Sequence, residues 1–139
     1  MKKYIFCLIF IMSSIIIHAE KRIVIYNELQ KIIYDVYYKF HETNNRIPIS
    51  FNDFLENLPE RQELIERDTS GLIEILMNNM AWLFTYSKID ENNFELSIQD
   101  NDIIVMYQSE TDRIITYANG MIIRNNYSGI REKYIKNNQ

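Results

Sequence analysis

Between Glu20 and Phe40 apolar side chains return every three or four residues, and from Trp82 onward they return every second residue. The first spacing marks one stripe of an α-helix and the second one face of a β-strand. A chain with both, in this order, has to bury a helical stripe against the apolar side of a sheet. Tyr26, Leu29, Ile33, Val36 and Phe40 draw the stripe over Glu20–Glu42, and Ile25, Ile32 and Tyr37 widen it as for a helix lying on a sheet. The other side carries Glu28, Lys31, Asp35 and Lys39, where Lys31–Asp35 and Asp35–Lys39 are spaced for weak surface pairs. Asn44 and Asn45 suit a left-handed helix stop, and Pro48 bars Ile47 from helical backbone.

Ser50-Phe51-Asn52-Asp53 has the form of a capping box and predicts a short helix, Phe51–Leu58, closed by Pro59. Glu60–Arg67 reads as a further helix and Leu72–Met80 as another helical stretch. Strands are predicted over Trp82–Tyr86, Phe94–Gln99, Ile103–Gln108, Arg113–Ala118 and Met121–Arg124, with Asp- and Asn-rich turns between them. Asn119-Gly120 is the strongest hairpin signal of the chain. The expected fold is α+β: a long N-terminal amphipathic helix packed on an antiparallel meander of four to five strands. It would occupy residues 20–124 as one domain, with a basic polar tail over 125–139 and a short helix around Ile130–Ile135.

Ahead of this lies MKKYIFCLIFIMSSIIIHA. Lys2 and Lys3 precede an uncharged run, Tyr4–Ile17, and Ala19 offers a small residue at a cleavage position, the order of a secretory signal peptide. Fourteen helical residues rise only about 21 Å, short of the ~30 Å hydrocarbon core. The protein is therefore expected to be exported, periplasmic or secreted, with residues 1–19 as the signal. The alternative is an inner-membrane anchor formed by residues 4–17, and the membrane is a partner only if that segment is retained. Cleavage would remove the only cysteine, Cys7, leaving a disulfide-free domain held by its core. It would also remove two of the 15 basic residues, leaving 13 against 19 acidic ones and a net charge of −6. So acidic a domain is a poor partner for nucleic acid.

The sequence offers little catalytic chemistry. His41 is the one histidine beyond the signal, and its place near a helix end suits a favourable charge at the dipole's negative terminus. There is no Gly-x-Ser-x-Gly, no His-Glu-x-x-His and no glycine-rich phosphate loop. Glu56, Glu60, Glu63, Glu66 and Glu74 could supply a carboxylate pair, yet their spacing is that of a solvated helix face. No enzyme activity and no cofactor is expected. Tyr34 and Tyr38 fall off the main helical stripe and are the interface candidates, while Phe40, Trp82 and Phe84 belong to the core.

Three segments resemble the type IV pilin-like family, in particular the pseudopilins of type II secretion. They are the apolar N-terminus running into an amphipathic helix, the stretch IIYDVYYKFHETNNRIPISFNDFLENL, and the closing WLFTYSKIDENNFELSIQDND. The prepilin peptidase site of that family is absent, since no glycine occurs before Gly71 and no acidic residue before Glu20. The resemblance implies an assembly or interaction role in the cell envelope. Because some pseudopilins bind calcium in a loop between strands, it also makes Asp90, Asp100 and Asp102 the candidate calcium ligands. Plain turn chemistry accounts equally for aspartates at these places. The expected function is that of an exported, non-enzymatic envelope protein with a pilin-like interaction or assembly role. The alternative is a soluble periplasmic or secreted module that binds a ligand or peptide.

Overall fold

A computed structural model describes residues 20–61, 64–69, 71–77 and 80–139. Residues 1–19, read above as an export signal or anchor, lie outside them. Seven antiparallel strands form one sheet in chain order: β1 (Ile65–Thr69), β2 (Leu72–Met77), β3 (Met80–Lys88), β4 (Phe94–Asp100), β5 (Ile103–Gln108), β6 (Arg113–Ala118) and β7 (Met121–Tyr127). Helix α1 covers residues 20–44, α2 is Phe51–Glu56 followed by a 3-10 turn at Pro59–Arg61, and α3 is Ile130–Asn137.

The expected fold is thus corrected. The sheet has seven strands, not four to five, and it dominates the molecule in place of a long helix with a small meander behind it. The two additional strands lie where helix was expected. The segment read as helix Glu60–Arg67 leaves its 3-10 turn at Arg61 and enters β1, and Leu72–Met77 is β2, paired with β3 from Ile73↔Phe84 to Met77↔Met80. Leu, Glu and Met favour helices intrinsically, but by less than ~1 kcal/mol per residue. Pairing with β3 and burial of Ile75 outweigh that preference.

Register shows how the sheet divides its two faces. One inner row runs Ile73, Phe84, Ile98, Val105 and Thr116 across β2 to β6, and the adjoining row runs Tyr86, Leu96, Tyr107 and Ile114. Against them α1 sets Ile25, Leu29, Ile32, Ile33, Val36, Tyr37 and Phe40, all buried, and α2 adds Phe51 and Phe54. Phe51 meets Phe84 with ring centroids 4.6 Å apart, and Phe40 meets Phe54 at 6.4 Å. The turns have clear causes: Asn119 and Gly120 both have positive φ (52° and 76°), as a tight hairpin between right-twisted strands requires.

The connection from α1 to α2 is fixed by local polar chemistry. Asn45 adopts the left-handed conformation (φ 55°) and closes α1 through its N–H to the His41 carbonyl. Ser50 Oγ accepts from the Asp53 N–H at 3.1 Å, capping α2. Asp53 in turn accepts both guanidinium nitrogens of Arg46, at 2.5 and 2.9 Å. These hydrogen bonds chiefly hold its carboxyl below the usual aspartate range. Tyr86 donates to the Pro48 carbonyl at 2.7 Å, tying the connection to the sheet.

Candidate functional site

Midway along α1 the helix widens. Asp35–Phe40 is π-helical, with the His41 N–H donating to the Val36 carbonyl five residues back. Such single π turns insert a residue into a helix and cluster at functional sites. Here the wide turn lets Val36, Tyr37 and Phe40 enter the sheet core while Asp35 is buried on another side.

Asp35 and Glu28 both grip Arg61 of the 3-10 turn. Arg61 Nε donates to Asp35 at 2.6 Å and Nη1 to Glu28 at 2.7 Å, with all three side chains at most 9% exposed. Lys39 stands 3.5 Å from Asp35 and 3.1 Å from Glu60. The charges therefore alternate as Glu28, Arg61, Asp35, Lys39, Glu60. Glu28 and Asp35, expected on a solvated helix side, are buried instead. They stand seven residues apart, two helical turns, so that one cation can reach both, but the sequence does not single out Arg61 from Arg46 and Arg67 as that cation.

Above this floor opens a hollow of about 840 Å³, lined by Asn27, Gln30, Lys31, Tyr34, Asp35, Lys39, Glu60, Arg61 and Ile130. Tyr34 stacks on Tyr38 with centroids 4.5 Å apart and planes 18° apart. The structure thus brings together the two tyrosines singled out by sequence. Tyr34 keeps about half of its surface in solvent.

Helix α3 completes the aromatic ladder. Tyr134 meets Tyr38 edge-on at 5.2 Å, lies against Tyr37 at 5.3 Å, and its hydroxyl is 2.5 Å from His41 Nδ1. Asp112, at a β-turn with φ 52°, anchors the start of α3 by accepting from the Arg131 and Glu132 N–H groups at 3.2 and 3.1 Å and from the Ser128 hydroxyl. It also accepts from Tyr107, whose hydroxyl is 3.3 Å from that of Tyr37. On this side a cavity of about 200 Å³ is lined by Tyr37, His41, Ile47, Asn92, Arg131, Tyr134 and Ile135. Its lining has a histidine and an arginine but no serine, cysteine or carboxylate, and Arg131 is engaged with the Ser109 and Glu110 carbonyls.

The buried hydroxyls make the ladder alkali-sensitive. Burial pushes Tyr37 up to about 12 from 10.0, and burial pushes Tyr107 and Tyr86 higher still. A raised phenol pKa means that the folded state holds its proton more tightly than the unfolded one. The stability this contributes is complete below pH 10 and is lost as pH rises through about 12, by up to ~1.4 kcal/mol per pH unit for each tyrosine. Urea midpoints measured across this window should fall steeply, and less steeply in Tyr107→Phe. An unchanged pH profile in that variant would refute the assignment.

The candidate calcium ligands are not gathered. Asp90 lies in the β3–β4 turn, where its Oδ1 accepts from the Asn92 and Asn93 N–H groups at 2.8 Å. Asp100 and Asp102 flank the β4–β5 turn at the far end of β4, and Asp100 stands 3.9 Å from Lys21. Among the described residues no group of three or more His, Cys, Asp or Glu could hold a metal ion. Of the acidic residues weighed as a carboxylate pair, Glu60 pairs with Lys39, while Glu66 and Glu74 lie on β1 and β2; Glu63 lies outside the described residues. Among the described residues no helix is long and apolar enough to cross a membrane.

No family model matches the sequence, and no curated protein or solved structure matches the chain.

Proposed function

We propose that the protein is an exported, non-enzymatic interaction protein of the bacterial cell envelope that grips an extended segment of a protein partner along the hollow of α1. The observation that carries this reading is the stacked Tyr34–Tyr38 pair at an open hollow whose floor alternates in charge. Rigid aromatic faces supply contact area, and paired charges of both signs match the mixed polarity of a peptide. From Asn27 to Lys39 the helix rises about 18 Å, the length of roughly five extended residues. The hollow is broad and open to solvent instead of closing around its contents, which favours a chain partner over a free small molecule. Export rests on the N-terminal charge and apolar pattern, and pilin-like assembly is one envelope setting for such an interaction.

A random peptide display selection tests the reading. Peptides recovered on the wild-type protein should bind Tyr34→Ala at least about ten-fold more weakly. Because Tyr34 is half exposed, its melting temperature should stay within about 2 °C. Peptides that bind both proteins equally would place recognition elsewhere and sink the proposal.

A further inference from the structure

The last strand, β7, is a sheet edge, and its side chains are left open. Met121 is 68% exposed, Ile122 58% and Ile123 45%, and Ile123 is the extra residue of a bulge between Ile122 and Arg124. Bulges and charges are how proteins keep such edges from pairing with another strand. Beside β7 the first turn of α1 exposes Ile23 at 59%. Between them lies a hollow of about 460 Å³ whose walls include Arg22, Ile23, Tyr26, Ile123 and Arg124. The Arg124 guanidinium lies 5.2 Å from the centre of the Tyr26 ring. Among the described residues neither Arg22 nor Arg124 forms an ion pair, although the chain as a whole carries a net charge of −4.

Two guanidiniums without a carboxylate partner, that of Arg124 held by the Asn126 side-chain amide and the Tyr26 ring, are set among exposed large apolar side chains and suit a surface that is anionic outside and apolar just beneath. The sequence places such a surface within reach. The uncharged run Tyr4–Ile17 ends five residues before Arg22, a distance of at most about 18 Å of extended chain. In the form of the protein that keeps this run, the anchored alternative given above, any bilayer the run meets lies next to this patch.

We infer that the β7 edge and the first turn of α1 form a contact surface for an anionic lipid bilayer. Arg22 and Arg124 bind headgroup phosphates, and Ile23, Met121, Ile122 and Ile123 enter the boundary between headgroups and acyl chains. This is independent of the tyrosine-lined hollow, which lies farther along α1.

Hydrogen exchange of the full chain tests it, with vesicles of phosphatidylglycerol and phosphatidylethanolamine compared against phosphatidylcholine alone. Amides of Met121–Tyr127 and the first turn of α1 should gain protection on the anionic vesicles only, and lose it as salt is raised. Arg22→Gln with Arg124→Gln should weaken this charge-dependent partitioning about 30-fold, a value expected for two surface charges. Ile122→Ser with Ile123→Ser should weaken it on its own, and unchanged exchange in β3 to β5 would verify that either variant is folded. Equal protection on both lipids would credit the apolar run alone. Protection that appears without lipid and grows with protein concentration would identify a second copy as the occupant. Either result, or no protection at all, overturns the inference.

Discussion

Arg61→Met is expected to destabilise the protein by about 3–5 kcal/mol, because it leaves two buried carboxylates without their counter-charge. Glu28 and Asp35 each have only 7% of their side chain exposed, and Arg61 is the cation that reaches both. Lys39 stands near Asp35 but is itself half in solvent, and it shares its charge with Glu60. A urea melt reads the loss. The triple variant Glu28→Gln, Asp35→Asn, Arg61→Met should recover most of it, since the penalty belongs to the stranded charges and not to missing volume. A cost below about 1 kcal/mol for the single variant would mean that water reaches the carboxylates, and the buried network would then be a surface one. The same variant should disturb the hollow, whose floor is this chain of charges.

The second large effect is expected for Asp112→Ala, at about 3 kcal/mol with release of α3. Three contributions add. Alanine is strained at a φ of 52°, the start of α3 loses the acceptor for two N–H groups, and the Tyr107 hydroxyl keeps only Tyr37 as its partner. Asp112→Asn keeps an acceptor oxygen and a side chain that tolerates the left-handed region, so it should cost about 1 kcal/mol. Hydrogen exchange over Ile130–Asn137 separates local release from global unfolding: α3 should open in the alanine variant while β4 to β6 stay protected. Equal costs for the two substitutions would refute the geometric account. Release of α3 would also remove Tyr134 from between Tyr37 and Tyr38, linking stability here to the shape of the candidate site.

Elements whose causes are local were legible before any coordinates. The alternation of Phe94, Leu96 and Ile98, the positive-φ pair at Asn119-Gly120 and the Ser50 cap each depend on neighbours a few residues away. Tyr34 and Tyr38 stand out because they fall off the main apolar stripe of α1, and at a spacing of four residues they stack. Glu28 and Asp35 were misread for the opposite reason. Their partner Arg61 lies 33 and 26 residues away, and nothing in a helical wheel distinguishes a buried acid from a solvated one. The aspartates of the turns are not drawn together, since Asp90 sits at one end of β4 and Asp100 and Asp102 at the other.

By itself the sequence determined periodicity: a helical stripe on α1, a two-residue repeat from β3 onward, and the turns that reverse the chain. Those features follow from the fixed geometry of helix and strand and from the backbone preferences of Asn, Asp, Gly and Pro. The tertiary structure decided that Ile65–Thr69 and Leu72–Met77 are strands, that α1 opens into a π turn at Asp35–Phe40, and that α3 docks through Tyr134. For the two strands, pairing of β1 with β2 and of β2 with β3 outweighs a local helix preference of less than about 1 kcal/mol per residue. Asp35 in the π turn meets Arg61, and α3 is held by the acceptor set of Asp112, contacts that are distant in sequence.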